Sequence, residues 1–404
     1  MSRRGALWVA FAIVHVVVAV LGFVGPNLPM GDVTNVYDPW SQWAVDGIAI
    51  VGIDQPWVYP QLALIPMVLA RALDGIAGYE LAWAILVTAC NALGFWMLLG
   101  RARSRGRVTA AWFWLAYTLL LGSIAMYRID AITIPLAIAG CLWLAGRPMV
   151  GSALLAVATW IKVWPAALLA AAFIALRRRW RVALGAVLVS AVTLGAIVAA
   201  GGAANAFGFV GDQTGRGLQL EAPVSMLYVW QAAAGVPGSF VYYDQDMLTY
   251  QVAGPQVDVV IAVMTPLLAI AMLAVAALGA YRSWQGASYA RLFPSLALAF
   301  VLTFIVFNKV GSPQYMTWIV VPLVMGLVID RRRWRRPALF ALAIAATTQV
   351  VYPFLYLELL MVRPLAVAAL TLRNALVVAF LVLVIVDLVR MPVRRRIPAV
   401  APSV

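Results

Sequence analysis

The sequence predicts an all-α polytopic membrane protein: one bundle of about twelve transmembrane helices, with interfacial helices in its first outer loop. Three observations carry this reading. Of 404 residues, 65% are hydrophobic and only 11% are charged. Apolar runs of about 17 to 25 residues recur from end to end, which is the length a helix needs to cross about 30 Å of hydrocarbon. Between the runs stand short arginine clusters, which read as cytoplasmic topology signals and not as a nucleic-acid surface, despite a net charge of +14.

Taken in order, the first run WVAFAIVHVVVAVLGFV lacks a small-residue cleavage site and is followed by many more, so it reads as a retained helix with His15 as packing. Next comes GPNLPMGDVTNVYDPWSQWAVDG, which sets Asp32, Asp38 and Asp46 among Tyr37, Trp40 and Trp43. An amphipathic helix is expected from about Pro39, with Asp38 and Asp46 structural or solvated. The stretch YPQLALIPMVLARAL cannot cross if RARSRGR is to share a side with Arg3 and Arg4. Its shortness and its Pro60 and Pro66 suit an interfacial helix. Cys90 and Cys141 fall in apolar helices and read as core.

Residues 151 to 176 lie between basic clusters at Arg147 and at Arg177 to Arg181, and must cross twice. Pro165 breaks the stretch into two short helices that meet near Lys162. The clusters at Arg282 with Arg291, Arg331 to Arg336 and Arg390 to Arg396 complete the count and put both termini in the cytoplasm. The whole chain, 1–404, reads as a single domain.

This topology sorts the polar residues. Of 15 acidic residues only Asp330 and Asp387 fall on the inner side, whereas both lysines, Lys162 and Lys309, fall on the outer side. The outer segments are loops of about 25–78 and 201–255, plus turns around MYRID, IKVWP, NKVGSPQY and VYPFLYLELLMVRP. They hold Arg128 and Asp130, Lys162, Arg216 and Glu221, and Lys309. Charges next to hydrocarbon are costly and tend to face a cavity or a partner. Several converging cations suit a phosphate, and one carboxylate among them suits a proton acceptor. No His/Cys cluster suggests a metal, and no GxxxxGK[ST] or GxGxxG element suggests a nucleotide, so no cofactor is expected.

Five stretches carry a resemblance: GDVTNVY, VYPQLALIP, ATWIKVWPAALL, RGLQLE and NKVGSPQY. In their order and shared side they resemble the GT-C superfamily of membrane glycosyltransferases, and more narrowly glycosyltransferase family 87, which includes bacterial polyprenol-phosphate-mannose-dependent α-mannosyltransferases. VYPQ stands where that family has a double proline.

The resemblance implies a GT-C-like bundle in the plasma membrane and an extracytoplasmic active site roofed by the two outer loops. It implies a polyprenyl-phosphate sugar donor, a glycolipid or lipoglycan acceptor, and an aspartate of the first outer loop as base. Asp32 matches that aspartate and lies closest to the first helix. Lys162, Arg216 and Lys309, with Arg128, are expected around the donor phosphate. Tyr37, Tyr59, Asp130, Gln219, Glu221, Gln314 and Tyr315 are expected to contact sugar or acceptor. Broken helices and intramembrane charges also suit a transporter of a lipid-linked sugar, and the basic loops permit a non-catalytic scaffold for envelope assembly.

Overall fold

Helix starts along the chain follow local capping chemistry. Ser2 accepts from the Gly5 N–H at 3.1 Å and opens the helix Arg3–Val24. Ser104 and Asp330 cap Arg105–Leu121 and Arg331–Gln349 in the same way, while Pro148 and Pro364 stand in the first turn, where a missing N–H costs nothing. Gly122, at φ +65°, ends Arg105–Leu121 in a conformation that L side chains avoid. The computed structural model of the chain describes residues 2–393 except Asp246. Arg394, Arg395 and Arg396 of the last basic cluster therefore lie outside the described residues.

Among the described residues, eight helices are long and apolar enough to cross a membrane, against the dozen or so expected. The difference lies in four shorter apolar helices: Asp130–Leu144, Pro148–Ile161, Ala166–Ala175 and Pro313–Ile329. At about 1.5 Å per residue, the first three, of 15, 14 and 10 residues, fall short of about 30 Å, whereas Pro313–Ile329 comes close to it because its first seven residues form the more extended 3-10 helix. The break predicted at Pro165 is present, between Pro148–Ile161 and Ala166–Ala175.

Burial ranks the helices. Tyr289–Phe307 is central, with 72% of its span buried, and Val257–Trp284 is peripheral at 11%. The periphery exposes Val192, Ile270 and Leu273, an apolar coat suited to lipid. Small residues bring helices together where they cross: a Cβ on Gly151 would lie 2.7 Å from the Gly140 carbonyl.

The basic clusters gather at one end of the bundle. Arg107 donates to the Met97 and Leu98 carbonyls at 3.2 Å, and Gly106 packs against the Val328 carbonyl. Arg333 pairs with Asp387, and Arg282 donates to the Leu388 carbonyl at 2.9 Å. Ser283 donates to the Ile174 carbonyl, also at 2.9 Å.

The opposite end carries short elements. A π-helical turn, Val33–Tyr37, leads into Asp38–Val45, which packs against the eight-residue helix Leu64–Arg71. Arg71 pairs with Asp38 and Asp74, so Asp38 ties the two helices together, while Asp46 accepts from Gln42 at 2.7 Å at the end of its own helix. An antiparallel hairpin, Phe240–Asp244 with Thr249–Ala253, departs from the all-α expectation. FVYYD and TYQVA are rich in aromatic and β-branched residues, which favour strands. The segment Leu218–Leu220 runs alongside the hairpin: Leu220 N–H donates to the Tyr250 carbonyl at 3.0 Å and Val252 N–H to the Leu218 carbonyl at 2.9 Å.

Candidate active site

Asp32 stands immediately before the π-helical turn, at the end of the bundle away from the basic clusters. Such turns are uncommon and frequent at functional sites. One carboxylate oxygen lies 3.5 Å from Arg128, and the other accepts from the Tyr37 hydroxyl at 3.4 Å. Both contacts are long, so neither saturates the carboxylate, and its side chain is one-third exposed. The Tyr37 hydroxyl in turn accepts from the Ile129 N–H at 3.0 Å, which fixes its proton toward Asp32. Burial pushes the Tyr37 phenol well above its ordinary range, so it stays a donor. Tyr37 is fully buried and its ring lies 4.9 Å from that of Trp83. Its hydroxyl, and not its ring face, is what reaches Asp32.

Arg128 is buried and held from several sides. It donates to the Tyr127 carbonyl at 3.1 Å and to the Tyr352 hydroxyl at 3.1 Å, and Tyr352 donates onward to the Leu28 carbonyl. Two residues on, Asp130 is wholly buried at the start of its helix. Its Oδ1 accepts from the Trp318 indole at 2.6 Å, and its Oδ2 has no partner within the protein. Trp318 stacks on Tyr315 at 4.1 Å and faces Trp164 at 6.0 Å, and Trp164 donates to Thr133. Tyr315 thus orients the indole that holds Asp130.

Lys162 sits in the gap left by Pro165. Its ammonium lies 4.1 Å from the centre of the Tyr59 ring, a cation–π contact, and its charge interacts with Asp130, Asp32, Arg216 and Arg128. Arg128, Lys162 and Arg216 therefore form one charge cluster with Asp32 and Asp130. The Nε of Arg216 is buried without a partner in the protein. Lys309 is buried and tied to the central loop, its carbonyl accepting from the Gln219 N–H at 3.0 Å. Gln219 and Gln314 each keep a buried side-chain oxygen without a protein partner, a pattern that suits binding of hydroxyl groups.

Glu221 is held in a buried ion pair. Arg373 lies 3.4 Å from its carboxylate, and both side chains are almost completely buried. Burial pushes the Glu221 carboxyl from its ordinary 4.5 up to about 7, with Arg373 pulling the other way and Tyr356 donating a hydrogen bond. Sequence reasoning missed Arg373, although an RN pair inside the apolar run of Pro364–Val389 is itself a costly and therefore informative charge. It also missed Trp318, and it passed over Trp164, Tyr352 and Tyr356, although IKVWP and VYPFLYLELLMVRP had placed these three in outer turns. His15 bonds the Phe11 carbonyl at 2.9 Å, and Cys90 and Cys141 are free thiols in apolar helices. Beside the site, an apolar crevice of about 280 Å³ opens between Ala346, Thr347 and Val350 on one helix and Ala369 and Leu372 on the next.

A multi-pass helical bundle that gathers carboxylates and cations at one end has the architecture of an integral-membrane enzyme. The profile of glycosyltransferase family 87 matches residues 57–307, more than half of the chain. The chain belongs to this family and is a GT-C-type membrane glycosyltransferase. The matched range contains Tyr59, Arg128, Asp130, Lys162, Arg216, Gln219 and Glu221; Asp32, Lys309, Gln314 and Tyr315 lie outside it. Membership favours the transferase over the transporter and scaffold readings. No curated protein and no solved structure shows significant similarity to the chain.

Proposed function

We propose that the protein transfers mannose from a polyprenyl-phosphate donor to a lipid-linked or envelope glycan acceptor, at the extracytoplasmic face of the plasma membrane, by an inverting displacement with Asp32 as general base. The observation that carries this reading is the charge cluster in which Asp32 meets Arg128, with Lys162 in electrostatic range of both and of Arg216. The acceptor oxygen attacks the anomeric carbon as the bond from that carbon to the phosphate oxygen breaks. Asp32 takes the hydroxyl proton, and polyprenyl phosphate leaves as an anion. Arg128, Lys162 and Arg216, with Lys309 beside them, stabilise the charge that grows on it. A phosphate already anionic leaves without a general acid, so one carboxylate suffices where a glycosidase uses two.

Other features support the reading. The basic clusters collect at the end opposite the site, as cytoplasmic loops and termini would. The apolar crevice suits a prenyl tail, and the phosphate would then lie toward the cations. The two outer segments act as one roof of a single domain: Gln61 donates to the Asn205 carbonyl at 3.0 Å, and Asn205 to the Ile53 carbonyl at 2.8 Å.

The test contrasts two variants of the purified protein, with folding, donor binding and transfer measured on each. Asp32→Asn keeps the shape but cannot accept the proton, so donor binding survives while transfer falls by about 10² to 10⁴. Lys162→Met keeps much of the stem and loses donor affinity, by about 1.5 to 3 kcal/mol for each charged hydrogen bond removed. Normal transfer by Asp32→Asn would remove Asp32 from the mechanism, and normal donor affinity in Lys162→Met would move the phosphate elsewhere.

A further inference from the structure

A column of aromatic rings leads from the outer surface to the candidate base. On the hairpin, Tyr243 is 46% exposed, and its ring centre lies 5.0 Å from that of Tyr250. Tyr250 meets Tyr356 edge-on at 6.0 Å, and Tyr356 meets Tyr352 edge-on at 4.9 Å. Tyr352, only 7% exposed, receives the Arg128 hydrogen bond, and Arg128 faces Asp32. Exposure thus falls along the column from open surface to reaction centre.

We propose that this column is an acceptor track: its outer rings, Tyr243 and Tyr250, stack on sugar units of an oligosaccharide acceptor, and the inner pair, Tyr356 and Tyr352, marks the way by which its terminal hydroxyl reaches Asp32. The inference rests on the glycan acceptor of the proposed function. Tyrosine offers a large, rigid and amphipathic surface at low entropic cost, which suits the apolar C–H faces of sugars. The steps between rings match the scale of one sugar unit. Hydroxyl partners lie along the route, since Gln251 and Gln219 each present a buried side-chain oxygen without a protein partner and Glu221 sits beside Tyr356. The hairpin is also fixed to the site. Its strand Thr249–Ala253 is hydrogen-bonded to the segment that carries Gln219 and ends at Glu221, so ring column and reaction centre keep one geometry.

The test uses α-linked mannose oligomers, from monosaccharide to hexasaccharide, with saturating lipid donor. In the native protein the acceptor KM falls as the oligomer lengthens. Tyr243→Ala raises KM for the hexasaccharide by about fivefold to tenfold, and progressively less for shorter oligomers, while Tyr243→Phe stays close to native. A KM independent of length in the native protein, or the same loss at every length in Tyr243→Ala, overturns the track. A second measurement needs neither donor nor turnover. In Tyr243→Trp protein reconstituted in lipid vesicles, the fluorescence of the introduced indole is expected to respond to mannose oligomers. Response to brominated lipid but not to the oligomers would mean that the hairpin faces the membrane, and the track falls while the transfer reaction stands.

Discussion

Glu221 shows how far one buried side chain departs from its solution behaviour. Its carboxyl titrates near 7 because burial outweighs the pull of Arg373. The folded chain therefore binds a proton that the unfolded chain has already released between pH 4.5 and 7. The sign follows: this group's stabilising contribution is present below about 4.5 and is lost as pH rises through about 7, at a slope of at most about 1.4 kcal/mol per pH unit. Stability in detergent should decline across that window, and Glu221→Gln should flatten the decline. An unchanged slope would place the titrating group elsewhere. Glu221, Asp32, Arg128 and Lys162 were legible in the sequence because a charge beside an apolar run is costly wherever it stands. What each one holds was not legible. The partners of Glu221 and Asp130 are Arg373 and Trp318, each more than 150 residues away, and no local pattern connects them.

Helices and turns were legible where one residue type dictates geometry. Pro165 announced the break at Lys162, and the short stretch with Pro60 and Pro66 announced a helix that does not cross, seen as Leu64–Arg71. The hairpin was missed because two five-residue strands are weak signals inside a chain dominated by helical runs, and their pairing with Leu218–Leu220 is not local. Close helix crossings were also hidden, since nothing in AGCLWL or MVGSALL tells a packed glycine from a tolerated one. At the crossing of Asp130–Leu144 with Pro148–Ile161, a Cβ on Gly151 would meet the Gly140 carbonyl at 2.7 Å and the Leu144 backbone at 2.8 Å. These are backbone atoms and cannot swing aside. Gly151→Ala should therefore cost about 1 to 3 kcal/mol and lower the melting temperature in detergent. An unchanged melting temperature would show that the two helices part more readily than their packing suggests.

Across the whole molecule, the alternation of basic clusters with apolar runs gave the architecture, and the contacts place the clusters together at one end. Sidedness can be tested with single cysteines, after Cys90 and Cys141 are replaced. Val45→Cys, at the site end and 58% exposed in the native protein, should react with an impermeant thiol reagent on intact cells. Arg103→Cys, in the exposed basic turn, should react only after lysis. The reverse pattern would turn the protein over. The short helices then acquire a further meaning. Pro148–Ile161 and Arg179–Ala199 start level, with Ser152 beside the Arg181 carbonyl, and near the end of the shorter one Trp160 bonds Ser190. The longer helix runs on from there to Ala199, by about 13 Å at 1.5 Å per residue. Lys162 consequently lies sunk beneath the rim, on a floor inside the bilayer's own thickness. In the reaction proposed above, a lipid-borne phosphate would slide sideways onto that floor without being lifted out of its leaflet, and the work of extracting a long prenyl chain from the membrane would never enter the reaction.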